Sequence, residues 1–231
     1  MKMLNYIKEY FTGAEIIIWS VSSAVIILSF CIFDRENYLT LLASMVGVTS
    51  LIFIAKGNPA GQLLMVIFSS LYAVISYNYS YYGEMVTYLG MGAPMAVFTF
   101  ISWLRNPYKD NKSEVKVNSL SKIDIVLMIV LTVLVTQLFY YILKFFNTAN
   151  LVPSTISITT SFLGVYLMFR RSPYYALAFV LNDIVLICLW ILASFDNIQY
   201  ISVTVCFAAF LVNDMYGYLS WRKMKVRQNQ N

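Results

Sequence analysis

The chain has 231 residues, 60% of them hydrophobic and 12% charged, and its 16 Lys and Arg against 11 Asp and Glu give a net charge of +5. That balance, with a mean hydropathy of +0.70, is too apolar for a soluble domain of this length, and it leaves no room for a soluble catalytic domain. The chain contains no histidine, which excludes a His-based proton relay, a zinc site and a Ser-His-Asp triad.

Apolar runs close to the ~20 residues that cross a bilayer core predict eight membrane-spanning helices, at 14–34, 38–55, 60–77, 84–104, 123–147, 153–170, 173–194 and 199–221. With these spans, 14 of the 16 basic residues fall on one side and only Arg35 and Lys144 on the other. Cytoplasmic loops retain Lys and Arg, so the partition predicts a multi-pass protein with both termini in the cytoplasm. The first span follows Lys2 and Lys8 and is longer than a signal-peptide core. It reads as a retained anchor, because Ser29-Phe30-Cys31 lacks the small residues of a cleavage site. Cys31, Cys188 and Cys206 all lie in apolar runs without metal-ligand spacing and read as packing residues.

Between spans two and three, Lys56-Gly57-Asn58-Pro59 forms a short basic turn, with Pro opening the next helix where its missing N–H costs little. Glu84, just after Gly83 at the start of span four, is expected near the outer interface within reach of water. Gly90, Gly92 and Pro94 interrupt that span and predict a kink, with a hinge or an opened backbone at a cavity as the alternatives. The stretch 105–122 is polar and basic and reads as a cytoplasmic linker. Span five carries Gln137 at mid-depth, where it either faces a cavity or bonds across helices. The hydroxyls of span six, Ser154, Thr155, Ser157, Thr159, Thr160 and Ser161, point to close helix packing.

Arg170-Arg171-Ser172-Pro173 then repeats the chemistry of the first basic turn, and Tyr218-Leu219-Ser220-Trp221 repeats Phe100-Ile101-Ser102-Trp103, each before a basic residue. The Pro-to-Trp intervals, 44 and 48 residues, predict a duplicated three-span unit. The expected layout is an extra helix in 1–37, a first unit in 38–104, a linker and linker helix in 105–150, a second unit in 151–222 and a basic tail in 223–231. One intervening span makes the repeats parallel, as in SWEET transporters, with a substrate site between them near the midplane.

Asp183 in span seven is the most telling residue. A carboxylate at mid-membrane is expensive and is expected to face the bundle interior. Seven residues on, Trp190 returns to nearly the same face at about 100° per residue, with Asn182 alongside. Span eight holds a second pair, Asn213-Asp214, with Tyr216 and Tyr218 following. Acids, amides and aromatics in such an arrangement suit a flat, polar, cationic ligand; hydrogen bonding and packing between helices is the competing reading. Trp103 and Trp221 sit beside basic residues, where Trp commonly anchors at the interface.

Over most of its length the chain resembles the PnuC family of vitamin-precursor transporters. Tyr82-Gly83-Glu84, Phe100-Ile101-Ser102-Trp103, Asn182-Asp183 and Asn213-Asp214-Met215-Tyr216-Gly217-Tyr218-Leu219-Ser220-Trp221 carry the likeness. The resemblance implies a bacterial inner-membrane uniporter with a SWEET-like fold that imports nicotinamide riboside by facilitated diffusion and alternating access. A cytoplasmic kinase would trap the cargo by phosphorylation. Where riboside carriers often have Trp-x-x-Trp, this chain has Phe100 and Tyr218 at the first positions, so thiamine, riboflavin or a deoxynucleoside remains an alternative cargo. A binding subunit of a larger transporter is the alternative from another class.

The expected substrate-binding residues are Asn182, Asp183, Trp190, Asn213, Asp214, Tyr216, Tyr218 and Gln137, with Phe100, Trp103 and Trp221 as a candidate gate or interface. The expected partners are a small-molecule substrate, membrane lipids and the kinase, with no cofactor, metal or nucleic acid and no enzymatic activity. A homo-oligomer is compatible with the sequence.

Overall fold

A computed structural model describes residues 10–78, 81–109, 111–148 and 150–230; Lys2 and Lys8 lie outside them. Among the described residues, eight helices are long and apolar enough to cross a membrane. They are α1 (Gly13–Phe33), α2 (Tyr38–Ala55), α3 (Ala60–Asn78), α4 (Tyr82–Leu104), α5 (Lys122–Phe145), α6 (Leu151–Phe169), α7 (Tyr175–Ser194) and α8 (Ile201–Gln230). Their bounds follow the apolar runs closely. The expected kink in α4 takes the form of a π-helical turn at Tyr88–Gly92 between two α-helical stretches.

Two features fall outside the sequence reading. The basic linker folds a short antiparallel pair, β1 (Pro107–Tyr108) and β2 (Asn111–Val115). The basic tail continues α8 to Gln230 as one helix.

Helix starts are set by polar caps. Thr12 and Glu15 form a capping box at α1, with the Thr12 N–H donating to Glu15 Oε2 at 2.8 Å and the Glu15 N–H to Thr12 Oγ1 at 3.3 Å. Ser121 and Asp124 repeat it at α5. Glu15 is buried and also pairs with Lys56 at 3.2 Å, so the cap of the first helix is tied to the turn between α2 and α3. Asp124 is likewise tied to Arg170 in the turn after α6.

The helices pack in an order that leaves α5 outermost. Helix α8 lies against α7, α2 and α1, while α5 rests on α6 and touches the start of α4. Only 11% of the apolar window of α5 is buried, which fits a helix that faces lipid on most of its surface. Gly47 lets α2 approach α8 closely: a Cβ there would lie 2.3 Å from the Phe210 ring.

The basic end of the bundle is tightly hydrogen-bonded. Both turns place a residue in the left-handed region, Gly57 at φ 67° and Arg171 at φ 58°. The linker bonds to each, through Val115 N–H to Gly57 O at 3.0 Å and Asn118 N–H to Arg171 O at 2.9 Å. It is also held by α8, where Gln228 Oε1 accepts from the Val117 N–H at 2.8 Å and Arg227 pairs with Glu114.

Candidate functional site

The central cavity, of about 80 Å³, lies among α2, α3, α4, α6, α7 and α8. Its walls are chiefly apolar, with Phe68, Tyr88, Phe179, Phe207 and Phe210 supplying aromatic surface and Gln62, Ser69, Thr87, Thr99, Ser161, Asn182, Asp183 and Asp214 the polar groups. Tyr88, Met91 and Gly92 bring the π-helical turn of α4 to the wall. Such turns insert one residue into the helical ladder and re-aim the side chains around it.

Asp183 on α7 and Asp214 on α8 are both buried and lie close enough to interact electrostatically with each other. Asn182 is fixed by the neighbouring helix. Its Oδ1 lies 2.9 Å from the hydroxyls of Thr160 and Ser161 and 3.3 Å from that of Ser157. The side-chain carbonyl is thus engaged by α6, leaving the amide N–H groups as the donors that can serve a ligand. Much of the hydroxyl content of span six is therefore spent on orienting one amide.

The other sequence candidates fall elsewhere. Asn213, one residue before Asp214, turns away towards α1 and donates to Ser22 Oγ at 3.0 Å and to Ala209 O at 2.7 Å. Tyr216 is nearer the basic end, where its hydroxyl donates to Glu15 Oε1 at 3.3 Å. Tyr218 is half-buried beside Arg222 and Tyr174. Gln137 lies on a separate groove between α5 and α6. None of these four lines the central cavity: helical rotation of about 100° per residue turns Asn213 and Tyr216 off the stripe of Asp214, Tyr218 lies one turn nearer the basic end, and Gln137 is on α5, which does not line the cavity.

Trp190 is fully buried but sits beyond the cavity, with its ring centroid 6.2 Å from Tyr72, 4.9 Å from Tyr81 and 5.6 Å from Tyr200. Phe100 is half-buried on α4. Trp103 and Trp221 are fully buried at the basic end, with centroids 5.3 Å apart. Trp103 Nε1 donates to Met168 O at 3.1 Å and Trp221 Nε1 to Ile54 O at 2.8 Å. The preceding serines act in parallel: Ser102 donates to Phe169 O at 3.3 Å and Ser220 to Ala55 O at 2.7 Å. Interior helix contacts, rather than interfacial anchoring, hold these two indoles.

Four polar residues of the cavity wall, Gln62, Ser69, Thr87 and Thr99, escaped the sequence reading, and Glu84, named there, lies otherwise than expected. Gln62 lines the cavity and places Nε2 2.8 Å from Met168 Sδ; an amide in the apolar run of span three was the available signal. Glu84, expected in reach of water, is only 2% exposed. Among the described residues no cluster of His, Cys, Asp and Glu could hold a metal ion.

The family model described as "Nicotinamide mononucleotide transporter" matches residues 37–223. The chain belongs to this transporter family. It is a membrane transporter and not an enzyme, and its eight apolar helices and family make it a multi-pass inner-membrane protein. Within the family it is similar to the nicotinamide riboside transporter PnuC of Neisseria mucosa, with 27% identity over 240 residues covering 99% of this chain and 89% of that protein. The nicotinamide riboside transporter PnuC of Haemophilus influenzae is 22% identical over 195 residues, covering 84% of this chain and 83% of that one. Among solved structures, the vitamin B3 transporter PnuC superimposes with a TM-score of 0.82 at 24% identity, covering 94% of each chain, which establishes the shared fold. The family match begins at residue 37 and so leaves α1 outside it.

Proposed function

We propose that this chain imports nicotinamide riboside by facilitated diffusion, binding it in the central cavity between Asn182 on one side and the Asp183–Asp214 pair on the other. The observation that carries this reading is the charge of the cavity: its lining includes two acids and no Lys or Arg. A pyridinium cation joined to a ribose finds there a carboxylate partner, amide donors and aromatic faces. A mononucleotide would bring a phosphate into a site that offers it no cation, which favours the riboside over the phosphorylated compound named in the family's description. Relatives named as riboside transporters support the same choice.

The cavity of about 80 Å³ is well below the ~300 Å³ at which ligand pockets begin, so uptake requires the helices around it to move apart. The moving parts we propose are two three-helix units, 38–104 and 151–222, related by an axis along the membrane normal, with 1–37 as an added helix, 105–150 as linker and linker helix, and 223–231 as a basic tail. The reciprocal contacts of Ser102-Trp103 and Ser220-Trp221 support this layout, because each pair bonds to the end of the first helix of the other unit. Rocking of one unit against the other would open the cavity alternately to each side. The basic end faces the cytoplasm in this reading, which agrees with the distribution of Lys and Arg. A cytoplasmic kinase that adds a phosphate would then prevent return, since the product carries the charge that the cavity does not accommodate.

Calorimetry of the purified full-length protein with nicotinamide riboside, its mononucleotide, thiamine, riboflavin and deoxynucleosides tests the proposal. Selective binding of the riboside is the expected result. Binding of the mononucleotide with equal or greater affinity would overturn the charge argument.

A further inference from the structure

Beyond the central cavity, towards the end opposite the basic turns, the polar atoms buried without a hydrogen-bond partner include Tyr72 Oη and Ser76 Oγ on α3, Glu84 Oε2 on α4 and Trp190 Nε1 on α7. Their residues are 3%, 0%, 2% and 0% exposed. Native proteins leave few such groups unpaired, because each has given up water without replacement. Here these four lie around Tyr72, with others, such as those of Ser29, Thr40 and Thr148, elsewhere in the chain. The Trp190 N–H lies beside the Tyr72 hydroxyl without reaching good hydrogen-bond geometry, and Glu84 is near enough to Tyr72 and Tyr88 to interact electrostatically with both. The first turn of a helix favours an acid at Glu84, but that preference accounts neither for the burial of its unpaired oxygen nor for the other three groups.

The same region holds a continuous aromatic column. Phe68, Tyr88 and Phe207 line the cavity, and each has its ring centroid near Tyr72, at 5.6, 4.4 and 5.6 Å. Tyr72 leads to Trp190 at 6.2 Å, and Trp190 to Tyr81 and Tyr200 at 4.9 and 5.6 Å. The last two are half-buried, so the column runs from the cavity wall towards the surface.

We infer that Glu84, Tyr72, Ser76 and Trp190 form a second cargo station on the route between the central cavity and the far end of the bundle, built for a flat organic cation that bears hydroxyl groups. This rests on the transport reading above. A carboxylate beside several aromatic faces attracts a cation by charge and by the ring quadrupoles. The two hydroxyls and the indole N–H serve a sugar, accepting from or donating to its hydroxyl groups. When the far end opens, the cargo pairs these groups before it reaches Asp183 and Asp214. When the station is empty and closed, they remain unpaired.

The test is uptake of radiolabelled nicotinamide riboside by full-length protein in proteoliposomes, alongside equilibrium binding in detergent, for the wild type, Glu84→Gln and Tyr72→Phe. The station predicts that KM for uptake rises about tenfold in Glu84→Gln, the scale of one lost charge-assisted contact, and severalfold in Tyr72→Phe, while Kd changes much less. A fall in thermal stability with unchanged KM in both variants would overturn the station and make these residues structural. If Glu84→Gln does not fold, Tyr72→Phe and Ser76→Ala decide, since each removes only one oxygen. If the wild type carries thiamine, riboflavin or a deoxynucleoside instead, the same variants are read on that compound. Failure of the wild type to carry any of them would overturn the transport reading and the station together, whereas normal riboside uptake in all variants overturns the station alone.

Discussion

Trp103 and Trp221 stand 5.3 Å apart at the basic end, each donating its indole N–H to a carbonyl at the end of a different helix, Met168 for the first and Ile54 for the second. The last turn of α4 and the Trp221 turn of α8 are thereby each bonded across the bundle. Neither indole has any exposed surface, so each bond is made where water cannot replace it.

Replacing either indole by an apolar ring should therefore cost more than its lost packing. Trp103→Phe and Trp221→Phe each remove one buried hydrogen bond, while the carbonyls keep the Arg171 and Gly57 N–H groups as donors, so the expected loss is about 0.5–1.5 kcal/mol. Thermal unfolding in detergent checks this, and the two variants should fall by similar amounts. A clear loss in one with none in the other would show that the contacts are not equivalent.

The acid pair predicts a charge-selective defect. Asp183→Asn and Asp214→Asn should each weaken binding of a cationic riboside at least about tenfold, the effect of roughly 1.4 kcal/mol, and affect an uncharged deoxynucleoside less. Calorimetry on both ligands separates the outcomes. Equal losses for the two ligands would mean that the carboxyls act through shape or hydrogen bonding rather than charge.

Asn213 and Asp214 are neighbours in sequence with opposite expected phenotypes. Asn213→Ala removes two donated bonds between α8 and its surroundings and should lower stability by about 1–2 kcal/mol while leaving cargo affinity within about twofold, a shift worth less than half a kcal/mol. A tenfold loss of affinity in well-folded Asn213→Ala would return that residue to the site.

Gly57 is constrained twice. It adopts φ 67°, and an added Cβ would lie 3.2 Å from Met224 Cε and 3.3 Å from Val115 Cγ1. Gly57→Ala should destabilise the protein by about 1–2 kcal/mol through the left-handed conformation alone, measured as a lower unfolding midpoint. No change would mean that the turn relaxes to another conformation.

The membrane spans were legible because a hydrocarbon core demands long apolar runs whatever the surrounding packing. Which side of each helix faces inward was less so. Asp183 and Asp214 were visible as acids too costly to face lipid, whereas Asn213 was drawn in with its neighbour because adjacency in sequence hides a rotation of about 100°. Glu84 shows the same difficulty along the other axis: its place near a helix start suggested water, but depth within a bundle depends on what packs alongside. Gln62 was hidden by its apolar surroundings. The β pair in the linker arises from contacts with distant turns, and residues 105–122 carry no strong strand pattern of their own.

The linker's three attachments impose an order on assembly. Gly57, the partner of Val115, precedes it in the chain, but Arg171, the partner of Asn118, and Gln228, the partner of Val117, follow it. As the chain emerges from N to C, the linker can dock on the first turn at once, gains its second attachment only after α6, and its third only when α8 is complete. The basic end is accordingly sealed late, once the length of α8 up to Gln228 has emerged, and a chain truncated before Gln228 would insert its helices with that seal unfinished.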